Sequence, residues 1–165
     1  MVELWLARHA ESVGNRDGSG ADTPLTHEGR QQAFALGKEL AGVAFDRVYC
    51  SPLARARETL TLALPGTAIT IEPRLRELVT PSEHFVDISR MSPDQMKALL
   101  TKSKNEPEVE TGRAFMARVR AWLDELPDEG RVLAVTHFAV IREIVRVRSS
   151  RPPPMIALGS VTILR

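Results

Sequence analysis

The chain has 165 residues, 43% hydrophobic and 26% charged, with a formal net charge of +1. That length suits one domain, residues 1–165, with a full core, and the near-neutral balance argues against a nucleic-acid or anionic-membrane surface. The single cysteine, Cys50, excludes an internal disulfide and fits a reducing compartment; with no basic lead or long apolar stretch at the N-terminus, no signal peptide is expected and the expected location is cytoplasmic.

Val2, Leu4, Trp5, Leu6 and Ala7 read as a short buried strand that stops on Arg8-His9. Ser12, Gly14, Asn15, Asp17, Gly18, Ser19 and Gly20 then have loop chemistry, and Asp22 to Thr26 is a turn. Thr26 is a good helix cap, with Ala33, Leu36, Gly37 and Leu40 at helical spacing and Gly42 just past the end. Phe45 to Cys50 reads as a second strand. Ser51-Pro52 then opens a helix, Ser as cap and Pro at the first helical position, ending near Leu64 before Pro65-Gly66. Ala68 to Ile71 is a third short strand, and residues 73 to 91 read mainly as loop.

Ser92-Pro93-Asp94 starts a helix that fades near Lys104, and Thr111 caps another whose Phe115, Val119, Trp122, Leu123 and Leu126 share a face. Arg131 to Thr136 is a strongly apolar strand ending on His137, followed by a helix from about Phe138 to Val147. Ile156 to Leu164 supplies one or two edge strands. Alternation of strand and helix predicts an α/β protein, a three-layer α/β/α sandwich with a mostly parallel sheet.

An Arg-His pair at the carboxyl end of a buried strand lies where open α/β sheets place their ligands, although it also suits a plain polar strand end at the surface. His137 ends a second strand and opens a helix, where free N–H groups favour an anion. Parallel strands put both imidazoles on one sheet edge. Arg55, in the first turn of its helix, leans back toward that edge. Two arginines and two histidines repel one another unless an anion joins them, and paired guanidiniums suit phosphoryl oxygens. A neutral His9 could attack phosphorus, with Arg8, Arg55 and His137 holding the oxygens. Glu77, following the third strand, could protonate the leaving alcohol. No acidic cluster with Mg²⁺ spacing and no glycine-rich lysine loop is present, so neither a metal nor another cofactor is expected.

At these residues the chain resembles the histidine phosphatase superfamily, with its phosphoglycerate mutase-like fold. Arg8-His9-Ala10-Glu11-Ser12 with Asn15 is similar to its Arg-His-Gly-Glu-Ser-x-x-Asn signature. Pro24-Leu25-Thr26 with Gly29, Ser51-Pro52-Leu53-Ala54-Arg55-Ala56 with Thr59, and Leu75-Arg76-Glu77 match later motifs in family order. Glu110-Thr111 through Arg118-Val119, and Val135-Thr136-His137 through Ile141-Arg142, complete the series. The resemblance implies His9 as phosphate acceptor; Arg8, Arg55 and His137 as the rest of the pocket; Asn15 as a phosphate contact; and Glu77 as proton donor. Glu11 and Ser12 belong to the same signature and are candidates for substrate binding; alternatively Glu11 orients the loop or Arg8, or lies plainly at the surface.

Several positions depart from the family pattern. Phe138-Ala139 replaces a glycine pair and puts bulk at the pocket wall. Val79-Thr80-Pro81-Ser82 replaces the familiar Gly-x-Trp-Glu-Gly continuation. Glu83 therefore rivals Glu77 as the acid, and His84 is a candidate for the substrate pocket. The loop from Asn15 to Asp22 is shorter than in the mutases. The expected activity is metal-independent hydrolysis of phosphomonoesters through a phosphohistidine on His9, acting on a small phosphate ester or a phosphoprotein. The alternatives are a phosphoglycerate mutase, a phosphohistidine phosphatase acting on protein, and an inert phospho-ligand binder.

Overall fold

The computed structural model describes residues 1–79, 89, 91–102 and 110–165. The apolar runs form β1 (Glu3–Arg8), β2 (Arg47–Cys50), β3 (Thr70–Ile71), β4 (Arg131–Thr136) and β5 (Val161–Leu164). Between them lie α1 (Val13–Arg16), α2 (His27–Leu40), α3 (Ala54–Ala63), α4 (Pro93–Lys102), α5 (Gly112–Asp124) and α6 (Phe138–Arg148). The sheet order is β3-β2-β4-β1-β5. All its pairings are parallel except that of β5, which runs antiparallel along β1 as an edge strand.

The expected sandwich follows from the two-residue period of the strands. Leu4 and Leu6 of β1, with Val132 and Ala134 of β4, pack against Val119 and Trp122 of α5 and Ile141 and Ile144 of α6. The intervening residues Ala7, Leu133 and Val135 face the other way, onto Leu36 and Leu40 of α2 and Leu60 of α3. Each face of the sheet thus carries a helix pair. No helix among the described residues is long and apolar enough to cross a membrane. Cys50 is a free, buried thiol whose pKa burial pushes up to about 12, as suits a packing residue.

Caps fall where the sequence places them for two helices. Thr26 Oγ accepts from Gly29 N at 3.0 Å, and Thr111 Oγ from Ala114 N at 3.1 Å. Gly42, with φ +78°, turns the chain just beyond α2. Gly37 serves close packing instead: a β-carbon there would stand 2.5 Å from the carbonyl oxygen of Ala63, backbone that cannot step aside. Gly37→Ala is therefore expected to push α2 off α3 and to cost about 1–3 kcal/mol, read as a lowered urea midpoint.

Three boundaries differ from expectation. β2 begins at Arg47 rather than Phe45, because Asp46 exchanges backbone and side-chain hydrogen bonds with Arg131 as the chain turns onto β4. The first loop contains the helical turn α1, closed by a reciprocal cap between Ser12 and Asn15. Residues expected as loop include a 3-10 turn at Pro73–Leu75, with proline preset at its start. The C-terminal segment forms a single strand, and α4 is described as far as Lys102.

Candidate functional site

β1, β4 and β2 all end at one edge of the sheet, and the residue after each is polar and buried: His9, His137 and Ser51. The register Arg8↔Thr136, continued by His9 N donating to Thr136 O at 3.0 Å, sets the two histidines side by side. Their ring centroids are 5.0 Å apart. Arg55, in the first turn of α3, is 6% exposed and donates from Nε to His9 Nε2 at 3.3 Å. Arg8 is buried too. Its Nη1 donates to Ile156 O at 2.9 Å, and its guanidinium carbon lies 5.4 Å from the centre of the Phe138 ring. The predicted quartet therefore meets, with Phe138 against one of its arginines.

The hydrogen bonds fix the tautomer of His9. Its Nδ1 lies 2.8 Å from Ala10 O, which can only accept, so Nδ1 carries the hydrogen. Nε2, which receives the Arg55 bond, keeps its lone pair. Burial, reinforced by Arg55 and Arg8, holds the His9 pKa well below that of a free imidazole, even though the Ala10 carbonyl opposes the shift. His137 is held low in the same way, by burial first and then by His9, Arg55, Arg8 and Arg118. Ser51 Oγ accepts from Leu53 N and donates its own hydrogen to His137 Nε2, 2.7 Å away, which leaves the hydrogen of the neutral ring on Nδ1. His137 Nδ1 is buried without a hydrogen-bond partner. A donor so placed is costly unless an acceptor fills the space before it.

Glu77 completes the set. Its Oε1 accepts from Leu78 N at 2.9 Å and its Oε2 from Ala139 N at 3.5 Å, in the first turn of α6. Burial raises its pKa above the ordinary carboxylate value, outweighing those bonds and the pull of Arg55 and Arg8. A carboxyl with a raised pKa holds its proton to higher pH than an ordinary one, as a general acid requires. Among the described residues no three His, Cys, Asp or Glu side chains gather to hold a metal ion.

This arrangement of strand ends and side chains has a counterpart in sequence. Residues 4–164 match the histidine phosphatase superfamily (branch 1). The chain belongs to that superfamily. It is 35% identical over 157 residues to the adenosylcobalamin/alpha-ribazole phosphatase of Salmonella typhimurium, covering 87% of this chain and 78% of that one. It is 31% identical over 150 residues to a protein of Erwinia tasmaniensis named probable phosphoglycerate mutase GpmB, covering 83% and 70%. The crystal structure of phosphoglycerate mutase from Thermus thermophilus superposes with a TM-score of 0.76 at 31% identity, covering 98% and 92%.

The other residues expected of a superfamily member are placed differently. Glu11 accepts from Thr26 Oγ at 2.6 Å and from Arg16 at 2.7 Å, so its carboxylate ties α1 to the start of α2. Ser12 and Asn15 cap one another: Asn15 Oδ1 accepts from Ser12 N at 3.0 Å and Ser12 Oγ at 2.9 Å. Glu83 and His84 lie outside the described residues. Ser51 does not cap α3; its hydroxyl is taken by His137 and Leu53, and the helix starts at Ala54 with Leu53 as an N-cap that has no side-chain bond. The cap comes instead from Asp22, which the sequence shows only as part of a turn. Arg118, in sequence no more than a motif position without a role, is paired with Glu110 and donates to Glu77 O at 3.2 Å, bracing the segment that carries the carboxyl. Nothing in the sequence spacing links those positions to the site, since the contacts are tertiary.

Two neutral buried imidazoles make stability depend on pH. Below about pH 6.5 an unfolded chain takes protons on these histidines, while the native state does not. Stability is expected to fall as pH drops from 6.5, by up to about 1.4 kcal/mol per pH unit for each ring, until the native sites protonate. Glu77, with its raised pKa, acts in the opposite sense, its cost to the fold fading as pH falls toward the ordinary carboxylate value. Urea midpoints between pH 7.5 and 5, measured in a Glu77→Gln background to remove the opposing group, isolate the two rings; an unchanged midpoint there would mean that they protonate freely in the folded protein.

Proposed function

We propose that this protein is a metal-independent phosphatase that hydrolyses phosphomonoesters through a phosphohistidine on His9. The observation that carries the reading is the fixed tautomer of His9, whose Nε2 lone pair lies 3.3 Å from a guanidinium nitrogen of Arg55. A phosphoryl group entering between the imidazoles would take Arg8, Arg55 and His137 Nδ1 as donors to its oxygens. As Arg55 Nε turns from His9 Nε2 to a phosphoryl oxygen, the freed Nε2 lone pair attacks phosphorus, the N–P bond forming as the ester P–O bond breaks, and Glu77 passes its proton to the departing oxygen. Water cleaves the N–P bond in the second half, with the Glu77 carboxylate taking its proton and His9 recovering its lone pair. Asn15, Ser12, Phe138 and the described part of the Glu11 loop form the surroundings in which a substrate is held, Asn15 offering its amide nitrogen.

The substrate is proposed to be a small phosphate ester handled in the cytoplasm. Leu78 and Ala139, whose backbone N–H groups bond the Glu77 carboxylate, also line a cavity of about 460 Å³, together with Met96, Phe115, Arg142 and Glu143 among others. Such a lining suits a leaving group with an apolar body and some negative charge. The relatives carry both phosphatase and mutase names, so the deciding experiment compares net phosphate release from p-nitrophenyl phosphate and alpha-ribazole 5′-phosphate with isomerisation of 3-phosphoglycerate. Hydrolysis that is indifferent to a chelator is expected. Rapid isomerisation with negligible phosphate release would replace this reading with a mutase.

A further inference from the structure

α3 begins without a cap of its own, and the groups it leaves open are met by a residue from far upstream. Asp22 Oδ2 accepts from Ala54 N at 2.8 Å, and Oδ1 from Arg55 N at 3.4 Å. The same Oδ1 accepts from Arg55 Nη1 at 3.1 Å. One carboxylate thus holds both the backbone and the guanidinium of the arginine whose Nε bonds to His9 Nε2. The segment carrying Asp22 is itself anchored. Gly20 N donates to Gly14 O, Gly14 N to Thr23 Oγ, Val13 N to Pro24 O, and Leu25 N to Glu58 on α3. Gly14 allows this closeness, since a β-carbon there would meet Ala21 O at 2.3 Å.

We infer that Asp22 is a positioning residue, fixing the plane of the Arg55 guanidinium against His9 Nε2. The inference rests on the phosphatase reading of the site. A guanidinium on a long flexible stem loses less freedom on meeting a phosphoryl group when a carboxylate already holds one of its nitrogens. Before a phosphoryl group enters, Asp22 holds Nη1 and Nε donates to His9, so the guanidinium is held at two points of one rigid plane; when Nε turns to a phosphoryl oxygen, the Asp22 bond still fixes that plane. Asp22 bonds to Arg55 and Arg55 to His9, so the effect of Asp22 on the nucleophile travels through Arg55.

That dependence makes a sharp test. Single-turnover rates on p-nitrophenyl phosphate, with enzyme in excess, are measured for wild type, Asp22→Ala, Arg55→Ala and the double variant. Asp22→Ala is expected to slow the reaction about 10- to 100-fold, and the same change in the Arg55→Ala background less than about twofold. Asp22→Asn, which keeps an oxygen for Arg55 but loses the charge and the bond from Ala54 N, should fall between Asp22→Ala and wild type. It also serves if the alanine variant unfolds. Thermal melts separate the lost helix cap, worth a few degrees, from the rate effect. An equal loss from Asp22→Ala with and without Arg55, or no loss in the wild-type background, overturns the inference. An Arg55→Ala variant as fast as wild type would instead count against the phosphatase reading itself.

Discussion

His9→Ala is expected to lower turnover of p-nitrophenyl phosphate by at least about 10⁴-fold, since removing a covalent nucleophile leaves only binding and electrostatic stabilisation. The neighbouring groups do not replace it. His137 has its Nε2 committed to Ser51 and its Nδ1 facing as a donor, and the arginines cannot act as bases. The intermediate offers a second readout. Wild-type protein mixed briefly with ³²P-labelled substrate and quenched in alkali should retain label that acid releases, as expected of a phosphoramidate. His9→Ala should retain none. A variant that keeps full turnover, or that keeps acid-labile label, would move the nucleophile elsewhere.

The second large effect concerns Glu77 and depends on the leaving group. An alkoxide leaves poorly without a proton, whereas p-nitrophenolate leaves readily. Glu77→Gln is therefore expected to slow alkyl phosphates about 10²- to 10⁴-fold and p-nitrophenyl phosphate only several-fold. The amide keeps an acceptor for Leu78 N, so the loop is held while the acid is lost. The pH profile should change as well. In the wild type the acid limb reflects protonation of His9 below the usual imidazole value, and the alkaline limb reflects ionisation of Glu77 above the usual carboxylate value. In the variant the alkaline limb set by Glu77 should disappear. Equal slowing of both ester types would assign the acid to another group, Glu83 being the rival that the sequence offers.

Much of this site is legible in sequence because its parts sit at strand ends. A short apolar run that stops on a histidine marks both the edge of the sheet and the side chain standing there, and β1 and β4 each do so. Arg55 is legible for a related reason, since a helical side chain in the first turn leans back toward the strand just left. Ser51 shows where the reasoning breaks down. Ser-Pro before a helix is a strong local capping signal, yet the hydroxyl makes a buried bond to His137 and α3 is capped by Asp22 instead. Local propensity cannot foresee a partner brought in by the packing of α1 and α2. Glu11 also depends on tertiary contacts: of the roles its place in the signature suggests, the bonds of its carboxylate to Thr26 and Arg16 fit the one of orienting the loop. The fold class needs only the alternation of elements, whereas β3, two residues long, rests on pairing with β2 rather than on any pattern of its own.

The pairing of β1 with β4 also bears on how the protein is made. Residues 3–8 leave the ribosome well before their neighbours on either side, residues 131–136 and 161–164. The backbone around His9 closes only when Gly159 N reaches His9 O and Ser160 O receives Arg8 N. A nascent chain therefore carries His9 without a pocket until those segments emerge, and the centre of the sheet waits for sequence-distant partners, a topology that slows folding. Phosphate can be recognised only after residues 131–164 have emerged, so a nascent chain that lacks them has no half-built site with which to sequester metabolites.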